Sequence, residues 1–224
     1  LGTGALVNRA GSIQAAAGTL SLTAGDVDNT AGLIASAQAG SLHAASLNNA
    51  DGRISSGGNL DLLSTGPLTN LRGRIVSAAD LNVSASRIDN TSGSLGAVGG
   101  DLSIETTSGP LDNPAGRLEA AGLVRVRAQG LDNLAGLVTA SRIDLDTRGQ
   151  SLVNAAGRLI ATGLAETDRL DIHSGALDNR GGLIQAGRHL QVVAHRRERP
   201  GAGGDGETCA GFDGRPCAVG FVCR

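Results

Sequence analysis

Five aspartates stand directly before an asparagine in a recurring phrase, and their spacing is the clearest indication of chemistry in this 224-residue sequence. They are Asp28, Asp89, Asp112, Asp132 and Asp178. If successive copies of the phrase stack about 4.8 Å apart, as neighbouring strands do, three of these carboxylates form a continuous row. Such a row could bind a divalent cation or supply the carboxylate pair of a polysaccharide hydrolase.

Two observations favour a solvated acidic row over an enzyme site. The sequence has no Trp and no Tyr, and both Phe residues follow position 200, so the row lacks aromatic platforms for sugar rings. Arg117 and Arg158 stand at variable positions nearby and are expected to neutralise the aspartates. We therefore predict no catalytic, metal-binding or cofactor-binding residue, and a polysaccharide-acting enzyme is kept as the alternative.

The histidines indicate no second site. His43, His173, His189 and His195 fall at unrelated positions of the recurring phrase, which favours surface or loop residues over a catalytic base. No Gly-rich loop joins a strand to a helix, as a phosphate-binding loop would. The Gly-rich residues 203–206 resemble a calcium-binding nonapeptide, but that motif requires tandem copies.

The element that must position these side chains is an Asn-x-x-Gly phrase that occurs nine times. Its asparagines are Asn8, Asn29, Asn49, Asn70, Asn90, Asn113, Asn133, Asn154 and Asn179. Its glycines are Gly11, Gly32, Gly52, Gly73, Gly93, Gly116, Gly136, Gly157 and Gly182. Successive asparagines lie 20 to 25 residues apart. A period in this range is typical of a solenoid, in which each unit contacts mainly its neighbours.

Aliphatic residues recur at fixed distances from each asparagine, with the alternation of strand side chains on one face. One stands two residues before it, as Leu111 does, and another five residues after it, as Leu118 does. A small residue, Ala or Ser, always stands at the seventh position. A second apolar pair follows, such as Leu81 and Val83. Intervening residues such as Arg74 vary and are predicted to face water.

Each asparagine shares the inward direction of its aliphatic neighbours, although a lone buried amide is costly. An asparagine stacked on those above and below it can hydrogen-bond along the column and to backbone groups of the corner, which removes the cost. The glycines fit a corner that needs either a positive φ or close backbone packing. We therefore predict structural roles for both sets of residues.

These patterns predict the fold class. Each phrase contains two or three short strands and no stretch long enough for a helix. A leucine-rich repeat continues from its asparagine into a helical or turn segment, whereas here a glycine and a second strand pattern follow. The sequence therefore predicts an all-β parallel β-helix of about nine coils of 20 to 21 residues, over residues 1–194. At about 4.8 Å per coil, the rod is roughly 43 Å long.

The composition agrees with thin, identical coils and excludes some partners. A net charge of −2 leaves no electrostatic footprint for nucleic acid or an anionic membrane. The core must consist of Leu, Ile, Val and Ala. No membrane span or secretory signal is found. Because Leu1 is not a start residue and the first coil begins without a cap, we expect a fragment of a longer protein or a truncated reading frame.

Residues 195–224 differ in kind from the repeats. A charged segment and a Gly-rich linker follow the last coil, and then come Cys209, Cys217 and Cys223. Three cysteines leave one unpaired if a disulfide forms, and their spacing matches no common zinc signature. We predict a linker and a disordered or irregular tail. A disulfide or partner-binding element, and translation out of frame, are the alternatives.

Residues 6–192 resemble the haemagglutinin-type repeats of filamentous haemagglutinin and of contact-dependent growth-inhibition exoproteins. Residues 111–120 (LDNPAGRLEA) and 177–186 (LDNRGGLIQA) carry the resemblance. It implies a right-handed parallel β-helical shaft that a Gram-negative bacterium exports through an outer-membrane two-partner transporter. It also implies a secreted or outer-surface location and a receptor on a host or neighbouring cell.

We therefore expect a non-enzymatic shaft of a secreted or cell-surface adhesin or contact-dependent inhibition exoprotein, which mediates adhesion or presents a C-terminal effector. A polysaccharide-acting β-helical enzyme that uses the aspartate row is one alternative. A truncated remnant with no independent activity is another, and a frameshift near codon 195 would favour it.

Overall fold

The computed structural model of this protein describes residues 4–194, which consist of strands and the turns between them. No helix occurs in that part of the chain. The strands repeat in groups of three, and each group forms one coil, so that coil 1 contains the first three strands and coil 9 the last three. The predicted all-β parallel solenoid of about nine coils is confirmed.

The strands of coils 1 to 3 are β1 (Leu6–Val7), β2 (Ser12–Ala15), β3 (Leu20–Thr23), β4 (Asp26–Asp28), β5 (Leu33–Ser36), β6 (Gly40–Ala44), β7 (Ser46–Asn48), β8 (Arg53–Ser56) and β9 (Leu60–Ser64). Those of coils 4 to 6 are β10 (Leu68–Thr69), β11 (Arg74–Ser77), β12 (Leu81–Ala85), β13 (Ile88–Asp89), β14 (Ser94–Ala97), β15 (Leu102–Thr106), β16 (Leu111–Asp112), β17 (Arg117–Ala120) and β18 (Leu123–Arg127). Those of coils 7 to 9 are β19 (Leu131–Asp132), β20 (Leu137–Ala140), β21 (Arg142–Asp146), β22 (Leu152–Val153), β23 (Arg158–Ala161), β24 (Arg169–Ser174), β25 (Leu177–Asp178), β26 (Leu183–Ala186) and β27 (His189–Ala194).

Corresponding strands of successive coils pair in parallel and form three nine-stranded sheets. Sheet 1 contains the first strand of every coil, sheet 2 the second and sheet 3 the third. The register keeps equivalent residues opposite each other, as with Ile54, Ile75 and Leu95 in sheet 2. The Asn-x-x-Gly phrase forms the corner between sheets 1 and 2. This corner therefore recurs at the same place in all nine coils.

The interior is aliphatic and filled. The side chains five residues after the asparagines form one column, which is buried from Ile34 to Leu159 and half-buried at Ile13 and Ile184 in the end coils. Coil 2 has no second apolar pair in its sequence, and Gly40 takes the first of those two positions. A Cβ at Gly40 would stand 3.0 Å from Leu60 Cδ1, so the neighbouring leucine covers the space.

The small residues at the seventh position close the corner between sheets 2 and 3. Where the residue is serine, it is buried and its hydroxyl donates to a backbone carbonyl of that corner. Ser56 Oγ donates to Gly58 O at 2.7 Å, and Ser77 Oγ donates to Asp80 O at 2.7 Å. Ala replaces Ser in other coils because both side chains fit the same narrow space.

The boundary after residue 194 stays a prediction. Residues 195–224 lie outside the described residues, together with the predictions made for His195, for the Gly-rich segment and for Cys209, Cys217 and Cys223.

The alternation in sheet 2 predicts opposite outcomes for two adjacent residues. Ile75 is 0% exposed at mid-stack, whereas the Arg74 side chain faces solvent. We expect Ile75→Ala to lower the free energy of unfolding by about 2–5 kcal/mol through lost transfer energy and a cavity. Arg74→Ala should stay within about 0.5 kcal/mol of wild type. Urea titration followed by circular dichroism measures both, and equal effects would mean that the strand register is shifted by one residue.

Candidate functional site

The nine repeated asparagines form one hydrogen-bonded column. Nδ2 of each asparagine donates to Oδ1 of the asparagine in the next coil, at 2.6–2.7 Å in all eight steps. The seven asparagines of coils 2 to 8 are fully buried. In most coils Nδ2 also lies within hydrogen-bond distance of the carbonyl of the corner glycine, as at Asn29 and Gly32, 3.2 Å apart. We infer that the column is structural, because its side-chain amides hydrogen-bond to one another.

The corner glycines provide room for this column. A Cβ added at Gly116 would overlap the backbone oxygen of Asn90 in the preceding coil and Oδ1 of Asn113 in its own coil. The other internal corner glycines have the same two neighbours. Of the two explanations that the sequence left open, close packing applies, because none of these nine glycines has a positive φ.

The positive φ falls one residue earlier, on a position that the sequence interpretation missed. In eight coils the residue is not glycine, with φ between 49° and 55°: Ala10, Ala31, Asp51, Arg72, Ser92, Ala115, Ala135 and Ala156. Coil 9 has Gly181 there, at 62°. Alanine and arginine are not residues that favour the left-handed region. Residue type therefore gave no signal of this conformation.

The aspartates before the asparagines act in the same corner. Asp89, Asp112 and Asp132 are direct partners on successive strands of sheet 1. Asp89 Oδ1 accepts a hydrogen bond from the backbone N–H two residues later, at 2.9 Å, and Asp132 does the same. This is an Asx turn. Asp112 lacks the bond because Pro114 occupies the donor position and has no N–H.

Asp112 is consequently the unusual member of the row. Burial, and then the negative charges of Asp89 and Asp132, raise the pKa of Asp112 above its ordinary value. At Asp28 hydrogen bonds act in the opposite direction. Thr30 and then Arg9 lower the pKa of Asp28. Folding therefore favours the protonated form of Asp112, whereas it favours the ionised form of Asp28.

The prediction that Arg117 and Arg158 neutralise the aspartate row is wrong. Arg117 lies on sheet 2 and pairs with Glu119 at 2.5 Å. Arg158 also lies on sheet 2 and has no ion pair within residues 4–194. The arginines that do pair with the row stand in the corners, where Arg9 contacts Asp28 and Arg180 contacts Asp178. Corner residues reach the row because they belong to the same edge of the coil.

The histidines of the described residues are exposed, as predicted, but two are not at unrelated positions. His43 and His173 occupy the same outward column of sheet 3, six coils apart. His189 is exposed at the start of β27. Because six coils lie between them, the distance between His43 and His173 is far longer than the distance between the ligands of a metal site or the members of a catalytic pair. No group of three metal-ligating side chains is found among residues 4–194.

Sheet 3 carries the densest charge of the described surface. Arg127 forms a bidentate pair with Asp144 of the next coil, at 2.7 and 3.0 Å, and Arg125 lies 3.6 Å from the same carboxylate. Burial alone would raise the pKa of Asp144, but the hydrogen bonds and charge of Arg127 hold it below its ordinary value. The charged side chains of this face are thus largely satisfied by one another.

Coil 8 contains extra residues that change the shape of this face. The corner between β20 and β21 has one residue, whereas residues 162–168 connect β23 to β24. Asp168 closes this loop because its carboxylate accepts from Ala165 N at 2.8 Å and its N–H donates to Ala165 O at 2.9 Å. Gly163 is required here, since a Cβ would overlap the Asp168 carboxylate.

The loop overhangs sheet 3 and forms a recess of about 440 Å³. Its lining consists of Leu123, Arg125, Arg142, Ile143, Asp144, Glu166, Thr167, Arg169 and Asp171. Arg169 pairs with Asp171 at 2.6 Å and Arg188 with Glu166 at 3.5 Å. Within residues 4–194 no carboxylate pairs with Arg142. Within the described residues, the recess therefore presents the guanidinium of Arg142 without an ion pair and, on Asp171, a buried Oδ1 without a hydrogen-bond partner. The Arg142 guanidinium can bind an anionic group.

Comparison with known families decides the identity of the repeat. Four overlapping segments, residues 2–64, 63–113, 97–166 and 149–196, match the haemagglutinin repeat. The chain belongs to the haemagglutinin repeat family. The matches together span all nine coils, and the suspected resemblance is confirmed.

No curated protein and no solved structure matches this haemagglutinin repeat chain. Within residues 4–194 there is also no helix with the length and apolar character needed to cross a bilayer.

The asparagine column of this haemagglutinin repeat predicts that a more hydrophobic residue destabilises it. Asn113→Leu interrupts the column and leaves amide groups of Asn90 and Asn133 without partners, at about 1–3 kcal/mol each. We expect a lower urea midpoint than for Asn82→Leu, which changes an exposed asparagine on sheet 3. An Asn113→Leu protein as stable as wild type would show that the column contributes nothing.

Two adjacent residues of one corner should respond in opposite directions. Ala115 has φ 53°, so Ala115→Gly should raise the free energy of unfolding, or leave it unchanged, within about 1 kcal/mol. Gly116→Ala should lower it by roughly 1–3 kcal/mol or more, because a Cβ has no space there. Thermal unfolding followed by circular dichroism measures both variants. The reverse order would contradict the corner geometry.

Asp112 predicts a pH-dependent stability. Because folding raises its pKa, the native state binds the proton more tightly, and wild type gains stability as pH falls through that pKa. Asp112→Asn should therefore raise the free energy of unfolding at neutral pH by roughly 0.2–1 kcal/mol, and the gain should vanish below the ordinary aspartate range. Asp28→Asn, where folding lowers the pKa, should lower stability at neutral pH. Urea titrations at several pH values test both signs.

Proposed function

We propose that this chain is the structural shaft of a secreted or cell-surface bacterial adhesin or contact-dependent inhibition exoprotein. In this role it mediates adhesion or presents a C-terminal effector. The observation that carries the proposal is the unbroken stack of nine coils that belong to the haemagglutinin repeat family. We place the shaft outside the cell, secreted or on the outer surface of a Gram-negative bacterium.

The internal chemistry of the coils supports a shaft. Residues that recur in every coil are those that hold neighbouring coils together, namely the asparagines, the glycines and the aliphatic columns. Outward positions vary freely from coil to coil. The paired strands extend along one axis in three sheets, so that stability is a sum of contacts between adjacent coils. A solenoid of this kind forms an extended rod that displays surfaces along its length and needs no catalytic centre to do so.

The same construction supports export through an outer-membrane two-partner transporter. Every strand pairs only with the equivalent strands of the preceding and following coils. Residues 4–194 contain no cysteine, so their folding requires no disulfide. Each coil that emerges can therefore fold on the one before it, and growth of the stack would favour further outward movement of the chain.

We assign the contact with a receptor to the recess on sheet 3. There residues 162–168, a longer connection than the single residue at the same corner of the preceding coil, line the recess beside the sheet. Arg142 offers the recess an unpaired guanidinium, which can bind a carboxylate or phosphate of a partner bidentately. The proposed receptor on a host or neighbouring cell therefore carries such an anionic group.

Export is tested by placing the full chain behind a two-partner secretion domain and expressing it with the matching transporter. We expect protease-resistant protein on the cell surface. Asn113→Leu should reduce the resistant fraction because the stack is interrupted at coil 6, whereas Asn82→Leu should leave it unchanged. Retention inside cells that contain the transporter would contradict the proposal.

Adhesion is tested with beads that carry the purified protein. Binding of the beads to host or bacterial cells should fall at least about tenfold with Arg142→Ala, the effect expected when a charge-assisted hydrogen bond is lost. Binding should be retained with Arg74→Ala, which removes an exposed arginine of sheet 2 without an ion pair in the described residues. Equal loss with both variants would refute the recess as the contact.

The enzymatic alternative has a separate test. The purified protein is incubated with a panel of acidic and neutral polysaccharides, and we expect no turnover. Turnover that disappears in a protein with both Asp112→Ala and Asp132→Ala would overturn the proposal of a non-enzymatic shaft.

A further inference from the structure

The charged side chains of the recess on sheet 3 compensate one another, with one exception. Its lining contains three carboxylates and three guanidinium groups, those of Asp144, Glu166, Asp171, Arg125, Arg142 and Arg169. Each carboxylate lies within 3.6 Å of a guanidinium nitrogen. Among residues 4–194, Arg142 is the one arginine of the lining without a carboxylate partner. In that part of the chain the recess therefore carries a single uncompensated positive charge.

The pattern of the strands explains why Arg142 has no partner. The sequence Arg-x-Asp occurs in β21, as Arg142 and Asp144, and again in β24, as Arg169 and Asp171. In β24 the two charges pair along the strand at 2.6 Å. In β21 the Asp144 carboxylate instead accepts from Arg127 of the preceding coil, at 2.7 and 3.0 Å. Arg142 is thereby left without the aspartate of its own strand.

Asp171 contributes an acceptor that lacks a donor. Its Oδ2 pairs with Arg169, whereas its Oδ1 is buried and accepts no hydrogen bond in the described residues. A buried acceptor without a donor costs free energy. Because Arg169 already balances the charge of Asp171, the missing group is a neutral donor such as a hydroxyl. A ligand reaches Oδ1 when a neighbouring side chain moves, as the Arg169 side chain, 65% exposed, can do.

The two incomplete groups are close enough to contact one small molecule. Asp171 is opposite Asp144 in the register, so it lies one coil and two residues away from Arg142. With about 4.8 Å between strands and about 3.3 Å per residue, their Cα atoms are roughly 8 Å apart. The recess volume of about 440 Å³ falls within the range of about 300–1,000 Å³ for small-molecule sites. The recess therefore suits a ligand that has an anion and a hydrogen-bond donor on one small unit.

The lining limits the chemistry of that ligand. A phosphate group has a charge of about −1.5 to −2 at neutral pH, and a recess with one uncompensated arginine beside three carboxylates disfavours the second charge. The ammonium group of an amino acid would need a free carboxylate, whereas each carboxylate here has an arginine. An apolar ligand finds little surface, because Ile143 is 1% exposed. A single carboxylate accompanied by hydroxyls meets all of these limits.

We propose that the recess binds an acidic sugar, a monosaccharide unit with one carboxylate. Arg142 binds the carboxylate bidentately, and a ring hydroxyl donates to Asp171 Oδ1. Because it rests on the proposed contact of the recess with a receptor, this assignment identifies that receptor as a carboxylated glycan. None of the described lining residues is aromatic, so no ring stacks on the sugar and one unit binds weakly. Many shafts on one surface then provide the affinity together.

The test titrates the isotope-labelled full chain with methyl β-glucuronide and follows the backbone amides by nuclear magnetic resonance. We expect a Kd on the order of 1 mM, with shifts centred on residues 142–144 and 162–171. Two probes each lack one feature. Methyl β-glucoside has no carboxylate, and cyclohexanecarboxylate has no hydroxyl. Each should bind at least about tenfold more weakly, the effect of losing a hydrogen bond to a charged group.

A substitution in the recess locates the binding. Arg142→Gln removes the charge and should weaken the binding of methyl β-glucuronide at least about tenfold. Arg74→Gln is the matched control, because Arg74 is an exposed arginine of sheet 2 without an ion pair in the described residues, and it should bind as wild type does. Circular dichroism must show the wild-type strand signal for both variants.

The proposal is overturned if methyl β-glucuronide shifts no residue of the recess, if the Arg142→Gln protein binds it like wild type, or if glycine or glucose 6-phosphate binds as tightly. The bead assay distinguishes this failure from failure of the proposed function. Loss of cell adhesion with Arg142→Ala, but no binding of the glucuronide, would keep the receptor contact and reject the acidic sugar. Binding of the glucuronide, with cell adhesion unaffected by Arg142→Ala, would keep the sugar site and reject the receptor contact.

Discussion

The whole structure depends on the side-chain amide of one asparagine in every coil, which stacks on the equivalent asparagine of the next coil. An asparagine amide can donate and accept in line, so a column of them needs no partner other than the next copy. That property makes a polar residue acceptable in a core where Ile75 and Leu118 are fully buried. Aspartate could not replace it, since its carboxylate accepts but does not donate when ionised. The close approach of the coils at this point then requires glycine three residues later.

Fixing one corner leaves the other two free to vary. The phrase keeps the same length between sheets 1 and 2 in every coil, while the spacing between asparagines ranges from 20 to 25 residues. The additional residues lie at the other corners, as residues 162–168 do between sheets 2 and 3. Coil 8 can carry this overhang, and the recess beneath it, without moving the asparagine column. Invariance at one corner thus permits surface features at the others.

Burial could be predicted for residues that lie a constant number of positions from the asparagine. It could not be predicted for residues that are separated from the asparagine by a corner of variable length. The burial of Leu118 and the exposure of Arg74 were both predictable, because a constant number of residues separates each from its asparagine. His43 and His173 share a column, but the overhang in coil 8 displaces their positions relative to the asparagine. The left-handed conformation of Ala115 could not be predicted, since it recurs at the same position of the corner whatever the residue type, as at Arg72 and Ser92.

The most direct measurement of the central claim is hydrogen exchange of the asparagine side-chain amides, followed by nuclear magnetic resonance on isotope-labelled protein. We expect the Nδ2 protons from Asn29 to Asn154 to exchange at least about 100-fold more slowly than those of Asn82, which lies on the exposed face of sheet 3. Protection should match that of the backbone amides of the same coils. Column amides that exchange as fast as those of Asn82 would show that the asparagines are open to water, and would contradict a buried hydrogen-bonded column.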